Sequence, residues 1–383
     1  MNAQVVHPAA AKAIDDPQAM RRAGRELLSL ALIDARNTLL SRLAEDESPP
    51  ALRLAAHAGW FQERWIARHL QRRRGEAADA TATPLAGIEP AVERWLDARE
   101  PPPAPEVLRG YLCETLEVTL DLLATADEDD DALYGWRLAL LHEDRLADTL
   151  VERRRAAAPP ARVEREPVWL PAQHWLLGSA RGEGYVPHNE RWAHDVAVPE
   201  FEIDAQAVNW RQYTEFAEDG GYDHRAWWSD EGWDWLQASA RRAPLEVEQF
   251  AGGVVTLRGG RLQRAAAGQP VMHVTRYEAE AWCRWAGRRL PAEPEWELAA
   301  ASAASRGFVW GDVFEWVAGS ARAWPDAGPP GPGCLDVIPR PGTMGVLRGA
   351  SWVTALRRRH AKARRFAPRE RDTMFCGFRS CAL

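Results

Sequence analysis

Residues 281–300 read AWCRWAGRRLPAEPEWELAA, and this stretch decides the architecture of the C-terminal half of the chain. Glu293, Pro294 and Glu295 have the composition of a first helical turn, because proline tolerates that position and acidic side chains interact favourably with a helix N-terminus. The tryptophans of the stretch supply large aromatic surfaces, each of which can bury ~150–250 Å² in a core. The stretch therefore predicts a short helix that packs on an aromatic core.

The sequence around this stretch is rich in loops and in tryptophan. Glycine pairs at 220–221, 252–253 and 259–260 lie between short runs of strand-forming residues such as those at 254–257. Of the 19 tryptophans, only four precede residue 160, namely Trp60, Trp65, Trp95 and Trp136. These features predict a loop-rich α+β domain over residues 169–383.

The N-terminal part of the chain has a different pattern, in which apolar residues recur at helical spacing. Proline-bearing or acidic connections divide it into four helical stretches, which we place at 27–43, 50–70, 108–123 and 133–151. Four helices of this length predict an antiparallel bundle over residues 1–158. Residues 156–167 read AAAPPARVEREP, which has no apolar periodicity, and we predict a linker over 159–168. The predicted fold class is therefore α + (α+β).

Composition excludes several classes of protein. The chain has 383 residues and a net charge of −7, which gives no reason to expect a nucleic acid partner. Charged residues interrupt every apolar run, and the first twenty residues lack the order of a signal peptide, so we expect a cytoplasmic protein without a membrane span. The five widely spaced cysteines include no CxxC pair, and this predicts neither a disulfide framework nor a thiolate zinc site.

Several motifs of the second half occur together in one order. The stretch at 281–300 is followed by WGDVFEW at 310–316, LRGASW at 347–352 and GFR at 377–379. This set resembles the formylglycine-generating-enzyme-like fold, a variant of the C-type-lectin fold. Formylglycine-generating enzymes use a cysteine pair just after the motif that corresponds to LRGASW. Residues 352–365, which follow that motif here, contain no cysteine. We therefore do not expect their thiolate-dependent chemistry.

Motifs of the first half extend the resemblance over nearly the whole chain. GRELLSLALIDAR at 24–36, AHAGWFQERW at 56–65 and LHED at 141–144 resemble the DinB-like bundle of ergothioneine, ovothiol and selenoneine synthases, with the selenoneine branch the most similar. The resemblance implies an oxidoreductase with nonheme Fe(II) and O₂ as co-substrate. Such enzymes join sulfur or selenium to the imidazole of hercynine (N-trimethylhistidine), and the donor is a thiol or a selenosugar.

The resemblance also implies metal ligands. The family binds iron through one histidine of the second helix, which matches His57, and through a His-x-x-x-His-x-Glu motif of the fourth. The first histidine of that motif matches His142, whereas the second falls on Leu146 and the glutamate on Asp148. Residues four apart share a helix face, so Leu146 replaces a donor with an apolar side chain. The two histidines are interpreted either as metal ligands or as hydrogen-bonded histidines of the bundle core.

Substrate binding is predicted at a pocket between the two domains, where ligand sites commonly form. Arg348, Arg364 and Arg379 are candidates to hold a carboxylate or sugar oxygens, and the alternative for each is an ion pair. No tyrosine lies between residues 317 and 346, where ergothioneine-type enzymes place a proton donor, and the catalytic residues are left unassigned. Two functions follow: a divergent selenoneine or ergothioneine-type synthase, or a member with a degenerate metal site that binds a small ligand or a partner.

Overall fold

The computed structural model describes residues 12–328 and 338–383 of the chain. Cys334 and the middle of the proline-rich stretch near it lie outside the described residues. The described part begins with six helices, of which four are long. Their bounds are α1 Pro17–Arg21, α2 Arg25–Ala44, α3 Pro49–Trp65, α4 Val92–Trp95, α5 Pro105–Ala124 and α6 Asp130–Arg154.

The four long helices α2, α3, α5 and α6 confirm the four helical stretches that the sequence predicts. The predicted end of the second helix at Leu70 was wrong, because α3 ends at Trp65. There the amide of Arg68 donates to the carbonyl of Glu63 at 2.8 Å and turns the chain away from the helix axis. The acidic run before α6 caps the N-terminus of that helix, because the Asp129 carboxylate accepts a hydrogen bond from the amide of Ala132 at 2.8 Å.

A buried arginine holds the four long helices together. Arg36 of α2 donates to both carboxylate oxygens of Glu143 on α6, at 2.6 and 3.0 Å, and to the Gln62 side chain on α3 at 2.6 Å. It also donates to the carbonyl of Leu112 on α5. Apolar residues surround this network in two buried clusters, and each of the four long helices contributes to both. The DinB-like assignment of these helices stays a prediction.

The rest of the chain is a mixture of short strands and helices, as predicted. No helix or strand is assigned between Arg154 and Val168, where the linker is expected. The division into 1–158, 159–168 and 169–383 itself stays a prediction. The strands are β1 Val168–Leu170, β2 Gln173–Leu177, β3 His194–Val198, β4 Phe201–Ile203, β5 Val247–Gln249, β6 Val255–Arg258, β7 Arg261–Arg264, β8 Phe314–Val317, β9 Met344–Gly349, β10 Arg364–Pro368 and β11 Cys376–Phe378. The helices are α7 Trp210–Glu218, α8 Asp230–Ser239, α9 Arg276–Trp285 and α10 Glu293–Ser302.

The central sheet of this part has the strand order β10-β9-β8-β11. Strand β11 runs parallel to β8, and the other neighbours are antiparallel. The predicted helix of the 281–300 stretch is α10, and its Trp296 is fully buried and donates to Glu315 of β8 at 2.8 Å. Arg379 donates to the same carboxylate at 2.8 Å. A buried polar cluster thus fixes α10 on the sheet.

Ion pairs join the helices to the second part of the chain. Arg357 donates to both oxygens of Asp144 at 2.7 Å and to Asp34 at 2.8 Å. Arg358 donates to Asp148 of α6 at 2.6 Å. The basic residues at 357–365 are typical of a solvated strand or loop, and the sequence predicts that this basic run meets the acidic bundle. It does meet acidic residues of the bundle, but Arg357 is only 4% exposed, because paired carboxylates allow its burial.

No helix of the described residues is long and apolar enough to cross a membrane.

Replacing Arg357 by alanine should destabilise the protein by about 3–5 kcal/mol, because Asp144 would be left as a buried, uncompensated charge. The double variant R357A/D144N should regain part of this loss. Urea unfolding measures both effects. Arg99→Ala serves as the control, because Arg99 pairs with Asp97 at the surface, is 88% exposed and should leave the unfolding midpoint unchanged. If the urea midpoint of Arg357→Ala equals that of the control, the buried Arg357–Asp144 pair does not stabilise the protein.

Candidate functional site

The structure brings the two predicted metal ligands together. His57 lies on α3 and His142 on α6, and His57 Nδ1 is 3.1 Å from His142 Nε2. Phe61, one turn after His57, stacks on the His142 ring with centroids 3.8 Å apart. Trp60 lies at 5.2 Å from the His57 ring. The two imidazoles therefore form a pair whose ring orientation is set by aromatic neighbours.

Burial keeps both imidazoles neutral at pH 7. It lowers the pKa of His57 to about 4. Burial also lowers the pKa of His142 well below its usual value, and His57, Arg145 and Arg358 lower it further. Neutral imidazoles have a free nitrogen lone pair, which can accept a hydrogen bond or bind a metal ion.

The position of a third ligand is apolar. Leu146 is fully buried and belongs to an apolar cluster with Leu39, Leu43 and Leu150. Asp148 accepts hydrogen bonds from Arg42 at 2.9 Å and from Arg358 at 2.6 Å, and burial raises its pKa to about 6.

Over residues 12–328 and 338–383, no three His, Cys, Asp or Glu side chains are grouped so that they could hold a metal ion. The residues present therefore do not fit the three-ligand iron site that the resemblance implies.

The histidine pair lies beside two neighbouring spaces between the helices and the second part of the chain. The larger, which we call the cleft, has a volume of about 1080 Å³ and is lined by His57. The smaller, which we call the inner cavity, has about 100 Å³ and is lined by His142. Arg145 of α6 and Arg365 of β10 line both spaces. Because small-molecule pockets measure ~300–1,000 Å³, the cleft and not the inner cavity has the size of a ligand site.

Arginine dominates the lining of the cleft. Among the residues that the structure describes, a single carboxylate, Glu152, faces it. The apolar part of the lining includes Leu54, Met344 and Phe366. The guanidinium groups come from helices, loops and strand β10, and they belong to Arg53, Arg145, Arg153, Arg155, Arg340, Arg365 and Arg371.

None of the three arginines predicted to bind substrate lines the cleft. Arg348 donates to Glu297 and Arg364 donates to both oxygens of Glu293, at 2.6 and 2.9 Å. Arg379 is held by Glu315, as described above. All three are buried, and among them only Arg364 lines the inner cavity. Their ion pairs account for their burial, and a substrate role for them stays a prediction.

By residue type, any of six tyrosines could replace the missing proton donor, and the sequence places none of them at the site: Tyr111, Tyr134, Tyr185, Tyr213, Tyr222 and Tyr277. Tyr185 lines the inner cavity together with His142. Tyr213 and Tyr222 lie instead in the aromatic core of the second part, where the Tyr222 hydroxyl donates to Glu278 at 2.7 Å. Tyr185 lies in a loop without a recognisable pattern, so the sequence does not distinguish it from the other five tyrosines.

Two arginines of the site could have been found by spacing. Arg145 lies three residues after His142, so it falls near the same helix face. Arg365 follows Arg364 in strand β10, and neighbouring residues of a strand face opposite sides of a sheet. The two arginines therefore point in opposite directions. Arg364, the candidate predicted from the sequence, is the preceding residue of the same strand.

Comparison with known proteins agrees with this architecture. Residues 154–312 match the sulfatase-modifying factor enzyme 1-like domain, which defines the class of the second part. The chain is 29% identical to the hercynine oxygenase of Mycolicibacterium smegmatis, over 85% of this chain and 89% of that protein. It is 32% identical to that of Mycolicibacterium thermoresistibile (76% and 70%) and 30% identical to that of Mycobacterium tuberculosis (78% and 82%). The chain belongs to the hercynine oxygenase family.

The histidine pair predicts how stability depends on pH. The unfolded chain takes up protons near the ordinary histidine pKa of ~6.5, whereas folded His57 resists protonation down to about pH 4. Stability should therefore fall as the pH falls from 6.5 to 4, by up to about 1.4 kcal/mol per pH unit for one such group. Urea unfolding at several pH values should show a shallower fall for His57→Gln.

His174→Gln is the matched control, because His174 is 73% exposed and pairs with Asp195 at the surface. Its stability should follow that of the unmodified protein at every pH. Equal slopes for His57→Gln and the unmodified protein would contradict a lowered pKa of His57 in the folded state.

Proposed function

We propose that the cleft binds hercynine, the molecule in the name of the relatives, and that this chain does so without a three-ligand iron centre. The observation that carries the proposal is the neutral histidine pair beside a ligand-sized cleft, with Leu146 where a third ligand would lie. The proposed protein is a repurposed family member that binds a small betaine.

The residues of the cleft suit the two ends of such a molecule. A guanidinium group binds a carboxylate through two parallel hydrogen bonds, and Arg145 and Arg365 lie where the cleft meets the inner cavity. The imidazole of hercynine can exchange a hydrogen bond with neutral His57, which lines the cleft. We assign carboxylate binding to the arginines and imidazole binding to the histidine side.

Filling the cleft should abolish this binding. Leu54 lines the cleft on the same helix as His57, and Leu54→Trp adds an indole to that space. Isothermal titration calorimetry should show hercynine binding to the unmodified protein and at least tenfold weaker binding to this variant. Leu70→Trp is the control, because Leu70 is 69% exposed and does not line the cleft. Equal hercynine affinity of both variants would place the ligand elsewhere.

A second candidate function is the one that the family resemblance implies, an oxygenase that joins a thiol or a selenosugar to hercynine with Fe(II) and O₂. The observation that favours it is the 3.1 Å separation of the two imidazole nitrogens. Two ligands with metal–nitrogen bonds of ~2.0–2.2 Å can lie that close on one ion. The resemblance implies that His57 and His142 match two of the family's ligand positions, and this supports the candidate.

The variant Leu146→His separates the two candidates. It places an imidazole one turn after His142, so anaerobic reconstitution should raise bound Fe(II) from well below one equivalent to about one equivalent per chain. Metal analysis after gel filtration measures this change, and Leu150→His, one turn further along α6, is the control.

Tight Fe(II) binding by the unmodified protein, together with product formation from hercynine and a thiol or selenosugar, would overturn the first proposal and establish the second. Hercynine binding without iron or product would support the first.

A further inference from the structure

We propose that Arg155, Glu246 and His273 form a latch that holds the C-terminal end of α6 on the second part of the chain, and that one proton taken up by His273 opens it. We call these three residues the latch. It lies at the edge of the cleft, because Arg155 is one of the residues that line that space. The proposal does not depend on which ligand the cleft binds.

Backbone conformation first singles out the three residues. In the part of the chain that the structure describes, five residues other than glycine have a positive φ. Three of the five form the latch, namely Arg155 at 46°, Glu246 at 69° and His273 at 59°. Such conformations are strained, and they gather at functional sites and switches where the surrounding structure holds them in place. Their meeting at one point therefore indicates a functional device.

The three side chains contact one another although they are distant in the chain. Arg155 follows the last residue of α6, Glu246 precedes β5 and His273 precedes α9. The Arg155 Nε lies 3.0 Å from Glu246 Oε1, and Glu246 Oε2 lies 3.9 Å from His273 Nε2. The backbone of Arg155 is held as well, because its carbonyl accepts from the amide of Gly259 at 3.2 Å. The latch thus joins the end of the helices to the hairpin of β5 and β6.

The hydrogen bonds of His273 define two states of the latch. Its Nδ1 lies 2.8 Å from the carbonyl oxygen of Asp372, and because a carbonyl can only accept, Nδ1 carries a hydrogen. In the neutral ring Nε2 is then a lone pair, and it faces the carboxylate of Glu246, which is also an acceptor. A proton on Nε2 turns this contact into an ion pair. The two states therefore differ by one proton.

The surroundings of the ring make the added charge costly. The charged residues around it come from four segments of the chain: Arg155, Glu246, Arg258 and Asp372. The carboxylate of Asp372 is already paired with Arg241 at 2.8 Å. Arg258 is only 7% exposed and has no ion pair among the described residues. Burial lowers the pKa of His273 to about 4, and Arg155 and Arg258 lower it as well.

Protonation places three cations around the single carboxylate of Glu246. His273 then competes with Arg155 for that carboxylate and repels the Arg155 guanidinium. Of the three cations, Arg155 alone has room to leave, because its side chain is 35% exposed whereas that of His273 is 4% exposed. Its departure moves it toward the cleft and breaks the hydrogen bond from Gly259. Acid therefore detaches the end of α6 from the hairpin.

Hydrogen exchange of single amides on the full chain, without hercynine or metal, tests the proposal. The reporter is the Gly259 amide, and protection factors correct each rate for the direct effect of pH on exchange. We expect its protection to fall at least tenfold between pH 7 and pH 4. The Leu257 amide, which donates to the carbonyl of Glu246 at 2.7 Å, should keep its protection. A Gly259 protection that does not change, or an equal loss at Leu257, would overturn the proposal.

Variants identify the group that takes up the proton. In His273→Asn the Gly259 protection should be the same at pH 7 and pH 4, because asparagine tolerates a positive φ and does not titrate. Glu246→Gln keeps the imidazole but removes the carboxylate, so Gly259 should be weakly protected at both pH values. Thermal melts at pH 7 show whether these variants fold.

His224→Asn is the matched control, because His224 is exposed and lies outside the latch. It should retain the tenfold fall of the unmodified protein. A fall of the same size in His273→Asn would assign the proton to another group and overturn the proposal. Because no ligand is present, the result is independent of whether the cleft binds hercynine.

Discussion

The buried ion pairs between α6 and the second part of the chain are the constraint on which the site depends. Asp144, Asp148 and Glu152 follow one another at intervals of four residues, so they lie on one face of α6. They receive Arg357, Arg358 and Arg365 in the same order along the chain. Because a buried charge needs a partner of fixed geometry, this series sets the position of α6 against strand β10. The cleft is the space left between these elements.

Much of the architecture could be predicted from local patterns. Apolar periodicity located the four long helices, and the 281–300 stretch located α10 on its aromatic core. The predicted end of α3 was wrong because apolar residues continue at helical spacing beyond Trp65, whereas the helical backbone conformation ends there. Local patterns describe one element at a time. They therefore predict elements better than the contacts between them.

The site could be predicted only in part, for the same reason. His57 and His142 were identified through a family resemblance, and the structure brings them together. Among 46 arginines, sequence alone could not tell those that meet a buried carboxylate from those that face a cleft, because the partners are distant in the chain. Arg348 thus proved to be paired with Glu297, and Tyr185 reaches the inner cavity from a loop without a pattern.

The ion-pair series also bears on the missing ligand. Asp148 occupies the position of the glutamate in the family's His-x-x-x-His-x-Glu motif, but it already accepts hydrogen bonds from Arg42 and Arg358. Turning it toward the histidines would leave two arginines at the interface without their partner, at a cost typical of a broken buried pair. The face of α6 that joins the two parts of the chain therefore cannot also supply a metal ligand. A donor on this helix must come from the adjacent face that carries His142, and there the residue one turn later is Leu146.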